Sequence, residues 1–229
     1  DEDGDGVCDA ICQDDYIVTS QTELEELSHC IEITGNLTIE NSNVINVDIL
    51  GSLRLIGGNL IIEGNNLLVE ISALSKLTFI GGNLNIINND NLLDLDGLDN
   101  VELIGGELII SENLNLGHID ALILITNISL DLRITFNASL QNIDGLQNVI
   151  SIGGELEISD NDLLGDINGI VAVATIGLSI TIHNNNDLLH IDGLEQITQV
   201  NGDLIITGNN QLAHLDGLNN LILVEGTVD

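Results

Sequence analysis

The order of apolar and polar residues along the chain repeats at a fixed interval. The pattern Gly-x-Leu-x-Ile begins at Gly35, Gly58 and Gly82. Versions of it begin at residues 106, 130, 154, 178, 202 and 226, so one step is 23 residues long and seven are 24. A sustained period of this length indicates a solenoid, in which each repeat forms one coil stacked on the next.

The apolar residues of each repeat fall at fixed positions. In the repeat that starts at residue 82 they are Leu84, Ile86, Leu92, Leu95, Leu98, Val101 and Ile104. Leu84 and Ile86 follow a period of two, which predicts a short strand with one buried face. The others recur every three residues, as at the corners of a coil, and the repeats contain no helical apolar pattern. We therefore predict an all-β, right-handed parallel β-helix with 24-residue coils.

Two polar columns share the period. The first contains Asn65, Asn89, Asn113, Asn137, Asn161, Asn185 and Asn209. We interpret it as an internal ladder, because an Asn amide can both donate and accept hydrogen bonds along a stack. Asn137-Ala138-Ser139 fits a glycosylation sequon, but its place in the ladder predicts burial instead.

The second polar column consists of an acidic or amide residue that Gly usually follows. Its members are Asp96, Asp120, Asp144, Asn168, Asp192 and Asp216. We predict turns here, with Gly allowing a positive φ, in preference to a row of calcium-binding carboxylates.

The segment before the first repeat differs from the rest of the chain. Residues 20–28 contain a capping box, Ser20 with Glu23, and an apolar stripe of Leu24 and Leu27. They predict a short N-terminal helix that covers the first coil. We expect residues 1–15 to form an acidic, Cys-containing linker and residues 16–229 the solenoid, with coils from residue 30. Because residue 229 falls inside a repeat, we expect the chain to be a piece of a longer protein.

The first nine residues have the oxygen-donor spacing of a calcium-binding loop. The expected ligands are Asp1, Asp3, Asp5, Val7 and Asp9, with Val7 contributing its backbone carbonyl. Cys12 stands where an EF-hand has its bidentate Glu, so this loop is not a complete EF-hand. The segment resembles the aspartate-rich calcium repeats of thrombospondin type 3, and this resemblance implies calcium as a cofactor.

Charge and cysteine content indicate which classes of partner to expect and whether the protein is extracellular. The chain has 37 acidic and 3 basic residues, a formal net charge of −34, which excludes nucleic acid as an expected partner and disfavours anionic membrane surfaces. It also has no apolar run long enough for membrane insertion. Three cysteines, Cys8, Cys12 and Cys30, favour a disulfide in an extracellular protein. A Cys12–Cys30 bond would tie the entering strand to the first coil and leave Cys8 free or paired elsewhere.

The start of the solenoid resembles a receptor L domain, the ligand-binding module of insulin and epidermal growth factor receptors. The residues that carry this resemblance are Leu24-x-x-Leu27-x-x-Cys30-Ile31-x-Ile33-x-Gly35-Asn36-Leu37-Thr38-Ile39. The order Cys12, short helix, Cys30 is similar too, and it implies a disulfide-capped β-helix over roughly residues 12–229. The chain is more regular, more acidic and poorer in aromatics than the receptors, so their ligands are not carried over. It looks like a bacterial secreted relative, and ordinary leucine-rich repeats are a less similar second choice.

These features favour a non-catalytic interaction, adhesion or stalk module of a larger cell-surface protein. Its expected partner is a protein or another cell-surface ligand. One alternative is a subunit of an extracellular filament that associates end to end. Another is a polysaccharide-acting enzyme, although a basic residue near carboxylates and sugar-stacking aromatics are not evident. His190 and His214 share a column and are the histidines best placed for a metal pair, but we expect them to be surface residues.

Overall fold

The computed structural model describes residues 10–229, in which short parallel strands form two long sheets. Eight strands form one sheet: β1 (Ala10–Cys12), β3 (Cys30–Ile33), β5 (Leu55–Ile56), β7 (Phe79–Ile80), β9 (Leu103–Ile104), β11 (Asn127–Ile128), β13 (Ser151–Ile152) and β15 (Thr175–Ile176). Nine form the other: β2 (Tyr16–Val18), β4 (Leu37–Glu40), β6 (Leu60–Glu63), β8 (Leu84–Ile87), β10 (Leu108–Ser111), β12 (Leu132–Thr135), β14 (Leu156–Ser159), β16 (Ile180–His183) and β18 (Leu204–Thr207). Strands β17 (Gln199–Val200) and β19 (Leu223–Val224) pair with each other.

Strand register explains the repeated apolar pattern. In the nine-stranded sheet Leu84 pairs with Leu108 and Ile86 with Ile110, so each inward-pointing side chain stacks on its counterpart in the next coil. All four side chains are fully buried. The parallel pairing of successive coils confirms the predicted parallel β-helix, and its right-handedness stays a prediction.

The core is one continuous stack of aliphatic side chains between the two sheets. The Leu, Ile and Val columns from Val18 to Leu204 are almost entirely excluded from solvent. In each strand of the two long sheets one side-chain face is buried in this core. Ile and Val are favoured there, because β-branched side chains pack well on a pleated, half-buried surface. Within residues 10–229 no helix is long and apolar enough to cross a membrane.

The N-terminal helix is shorter than the predicted span of residues 20–28. Helix α1 covers Gln21–Glu25, and Glu23 donates its backbone N–H to the Ser20 hydroxyl at 3.3 Å. The Glu23 carboxylate accepts the Thr19 backbone N–H at 2.7 Å, one residue earlier than in a standard capping box. After Glu25 the chain tightens, because Leu27 bonds back to Leu24 in an i to i−3 turn.

The corner that carries the Asp-Gly pairs forms short 3₁₀ turns. These turns span Asp48–Leu50, Ser72–Lys76, Asp120–Leu122, Asp144–Leu146, Asn168–Ile170, Asp192–Leu194 and Asp216–Leu218. The prediction that Gly serves a positive φ here is wrong for most coils: among these Asp-Gly and Asn-Gly glycines, only Gly97 has one, at 108°. At Gly145 a Cβ would lie 1.9 Å from the Ile119 carbonyl oxygen, so Gly is needed for close approach between coils.

Candidate functional site

The Asn ladder predicted from the sequence lies inside one corner of the coil, and we call it the inner ladder. Asn137 is fully buried, and its backbone N–H donates to Asn161 Oδ1 at 3.0 Å. Its Nδ2 donates to the Ile110 carbonyl of the preceding coil at 2.9 Å. Ser42 begins the ladder by donating its hydroxyl to Asn65 Oδ1. The predicted structural role is confirmed, and the burial of Asn137 argues against its use as a glycan acceptor.

A second polar ladder, which the sequence reasoning missed, lies at the start of the nine-stranded sheet. A side-chain oxygen there accepts the backbone N–H of its counterpart in the next coil. Asn83 donates to Asn59 Oδ1 at 2.7 Å, and Glu155 donates to Asp131 Oδ1 at 2.8 Å. The available signal was the residue after each repeat-starting Gly or Leu, which is Asn, Asp, Glu or Ser from residue 36 to 203.

One of the three basic residues, Arg133, lies on the outer face of the nine-stranded sheet within a group of carboxylates. Its guanidinium nitrogens lie 2.6 Å from Asp131 and 3.4 Å from both Glu107 and Glu155. Glu157 follows at 3.5 Å. Since these side chains are partly exposed, the pairs link three coils but contribute little stability individually.

The described residues include the predicted N-terminal disulfide but not the predicted calcium ligands. The predicted calcium ligands Asp1, Asp3, Asp5, Val7 and Asp9 lie outside the described residues, and so does Cys8. Cys12 and Cys30 form the expected disulfide, with their Cα atoms 5.6 Å apart. His29 Nε2 lies 3.7 Å from Cys12 Sγ.

The histidines of the described residues lie beside acidic side chains or beside the disulfide. Over residues 10–229, the one group of three candidate ligands is Cys12, His29 and Cys30, and the disulfide engages both of its sulfurs. His190 and His214 each lie 3.3 Å from the Asp two residues later. His118 shares their column, a relation the sequence reasoning overlooked, and lies 3.5 Å from Asp120.

Beside the inner ladder runs a second column, one residue further along each coil, which we call the outer column. Its members are Asn66, Asp90, Leu114, Ala138, Asp162, Asn186 and Asn210. Asp90 donates its backbone N–H to Asn66 Oδ1 at 3.1 Å. Asn186 donates its side-chain Nδ2 to Asp162 Oδ1 at 2.6 Å. Leu114 and Ala138 have no polar side-chain atoms, so they interrupt this surface network over two coils.

The residue before the inner ladder adopts a left-handed backbone in every coil. These residues are Asn41, Gly64, Asn88, Glu112, Phe136, Asp160, Asn184 and Gly208. Gly, Asn and Asp tolerate this conformation, whereas a bulky side chain is strained in it. Glu112, with φ at 60°, and Phe136, with φ at 57°, both depart from this preference, and Phe136 is the one apolar member of the column. Phe136 is therefore an outlier in its own column. It occurs in one of the two coils in which the outer column is interrupted.

Leu114 and Phe136, which depart from the repeat, line the same cleft of about 530 Å³, which we call the corner cleft. It is lined by Asn88, Asp90, Glu112, Leu114 and Phe136. Phe136 is 53% exposed and Leu114 is 50% exposed, so the cleft presents apolar surface next to two carboxylates. The signal of Leu114 and Phe136 in the sequence was a large apolar residue in a column whose other members are small or polar.

Comparison with known proteins supports the resemblance proposed from the sequence. Neither a curated protein nor a solved structure matches the chain. The family model "Receptor L domain" matches residues 29–129, which include Glu112 and Leu114 and end before Phe136. This family is non-enzymatic and ligand-binding, and it is typically extracellular, a setting that the disulfide also fits. Residues 29–129 are thus similar to receptor L domains, within a chain that folds as a parallel β-helix.

Proposed function

We propose that the chain is a non-catalytic interaction or adhesion module of a larger extracellular protein and that it binds a ligand in the corner cleft. The observation that carries this proposal is the paired departure from the repeat at Leu114 and Phe136. Both side chains are half exposed, and they line the same cleft. The family match to a ligand-binding module supports the same conclusion.

The fold itself does not account for Phe136. The other coils with this left-handed φ have Gly, Asn, Asp or, in the preceding coil, Glu112 at the same position, so Phe136 is the one apolar residue among them. A bulky residue in this conformation costs about 1–2 kcal/mol relative to the right-handed region. Strain of this kind is commonly retained at binding sites, where the exposed side chain contributes contacts to a ligand.

The regular stack also suits a stalk or adhesion role. Successive coils are joined by in-register strands and by the inner ladder, so the corner cleft is held on a rigid support. A site on a rigid support loses less conformational entropy when it binds. We propose a protein or cell-surface ligand as the partner on this basis.

A second candidate function follows from the two carboxylates in the corner cleft. Asp90 and Glu112 lie beside an exposed aromatic side chain, and glycoside hydrolases use paired carboxylates near sugar-binding surfaces. Hydrolysis of a polysaccharide panel that Glu112→Gln abolishes would replace the interaction proposal with this one.

Selection from a random peptide library on the immobilised chain tests the interaction proposal. We expect enriched peptides to bind at least about tenfold more weakly to Phe136→Asn and Leu114→Asn, because one buried aromatic or aliphatic anchor contributes this much at an interface. Leu189→Asn is the matched control, since Leu189 is also 50% exposed but does not line the corner cleft. Peptides that bind both cleft variants as tightly as the unsubstituted chain would contradict the proposal.

We also propose that residues 1–9 bind calcium, as their resemblance to thrombospondin type 3 repeats implies. Calcium titration followed by calorimetry should show saturable binding that Asp3→Asn and Asp5→Asn together abolish, because each removes one carboxylate ligand. The cleft variants should bind calcium normally. Binding that survives the double substitution would place the ion elsewhere.

A further inference from the structure

We infer that the corner cleft binds an arginine side chain of a protein ligand, with the guanidinium over the face of the Phe136 ring. This inference rests on the proposed function, because it names the chemistry of the ligand for the same site. It follows from three features of the cleft: the exposed ring, the two carboxylates and the lack of any basic residue in its lining.

The exposed ring of Phe136 can attract a cation. Phe136 is 53% exposed. It shares its left-handed backbone with the other members of its column, whose side chains are small or polar. An exposed aromatic face attracts a cation through its quadrupole, and arginine adds planar stacking to that attraction. Leu114 in the same cleft can pack against the methylene groups of the arginine stem.

The two carboxylates of the cleft favour a cationic ligand over an apolar or anionic one. Asp90 and Glu112 line the cleft with Phe136, and the whole chain has 37 acidic against 3 basic residues. An apolar ligand would desolvate these carboxylates without giving them a partner, which costs free energy. An anionic ligand would be repelled. A guanidinium can stack on the ring and donate hydrogen bonds to a carboxylate at the same time.

Fluorine NMR can report on the cleft directly because the chain has two phenylalanines, Phe79 and Phe136. Biosynthetic incorporation of 4-fluorophenylalanine gives one resonance for each. Phe79 lies in β7 of the eight-stranded sheet, between Leu55 and Leu103 of the neighbouring strands, and serves as the internal reference. The Phe79→Leu variant assigns the two signals.

The probes are acetyl-Gly-Arg-Gly-amide and the same peptide with citrulline, which keeps the shape of arginine but lacks its charge. Titrations at about 150 mM salt screen the long-range field of the chain. We expect the arginine peptide to shift the Phe136 resonance saturably, with an affinity about fivefold higher than that of the citrulline peptide. The Phe79 resonance should stay in place.

Two variants separate the contributions of the ring and of the carboxylates. Glu112→Gln should weaken binding of the arginine peptide about threefold, because the side chain keeps its size and loses its charge. Phe136→Leu lacks the reporting ring, so its binding is measured by calorimetry alongside the unsubstituted chain. It should abolish the preference for arginine over citrulline while keeping the cleft apolar. Equal affinities for the two peptides, or equal shifts at Phe79 and Phe136, would overturn the inference.

The failures of the inference and of the proposed function are distinguishable. Selected library peptides that need Phe136 but contain no arginine would refute the arginine site and leave the binding function intact. A Phe136 resonance that responds to a panel of sugars and not to arginine would replace the protein ligand with a carbohydrate. Library peptides that ignore the cleft variants would refute the proposed function itself.

Discussion

The inner ladder and the outer column lie one residue apart in every coil, yet they differ in how strictly the repeat is kept. The inner position is Asn in every coil from residue 65 to 209. The outer position changes from Asn or Asp to Leu114 and Ala138 in two coils. Burial explains the contrast, because the inner amides lack water as an alternative partner whereas most of the outer side chains are exposed. A departure in the outer column is therefore not forced by folding, and it is where a binding site can arise.

The largest effect that tests this contrast is expected from Asn137→Ala. It removes the acceptor for the backbone N–H and for the side-chain amide of the buried Asn113, and it removes a side-chain donor to the Ile110 carbonyl. We expect a loss of roughly 3–5 kcal/mol in the free energy of unfolding, since each orphaned group costs about 1–3 kcal/mol. Urea denaturation followed by circular dichroism measures it.

The control for this prediction is Asn186→Ala in the outer column. Asn186 donates to Asp162 and accepts from Asn210, but all three side chains are exposed and water can replace the lost bonds. We expect a change within about 0.5 kcal/mol. Equal losses for the two variants would show that burial does not separate the columns.

An intermediate effect of opposite sign is expected from Phe136→Asn. It gives this coil the residue that Asn88 and Asn184 already provide in a left-handed backbone. Relief of strain, less the partial burial of the ring, should stabilise the fold by about 0.5–1 kcal/mol. A gain in melting temperature together with loss of peptide binding would show that the ring serves binding at a cost in stability.

The Phe136→Ala variant separates strain from the loss of the ring. Alanine also disfavours the left-handed region, so it removes the aromatic contacts without relieving the backbone. We expect it to be less stable than the Asn variant by about 1 kcal/mol. If the two variants have the same melting temperature, the backbone at Phe136 is not strained and the contrast with its column loses its basis.

Features that depend on a strict period could be predicted from the sequence. The parallel stacking, the inner ladder and the disulfide follow from residues such as Asn137 and Cys12, whose partners are set by register and chain order. The reason for Gly145 could not be predicted, because it depends on the close approach of another coil, whose Ile119 carbonyl oxygen would lie 1.9 Å from a Cβ at this position. The corner cleft was also missed, since it becomes visible only when Leu114 and Phe136 of neighbouring coils are placed side by side.

The second polar column of the sequence, which contains Asp96 and Asp144, has carboxyl groups with raised pKa values. Burial raises the pKa of Asp144, and the charges of Asp166 and Asp120 raise it further. Burial also raises the pKa of Asp96, with contributions from Asp94 and Asp99. Burial is therefore the main cause that disfavours ionisation of both carboxyl groups, and neighbouring carboxylates add to it.

The smallest expected effect is the pH dependence that follows from these shifts. A carboxyl group whose pKa is higher in the folded state binds more protons there than in the unfolded chain. Its ionisation therefore lowers stability as the pH rises from its unfolded pKa through its folded pKa, and acidification from pH 7 restores that stability. Asp144→Asn copies the neutral Asn168 of the next coil, so it should raise the urea midpoint at pH 7 and have progressively less effect towards pH 4. A difference between the two proteins that stays constant with pH would mean that the side-chain amide acts through hydrogen bonding and that ionisation of Asp144 does not lower stability.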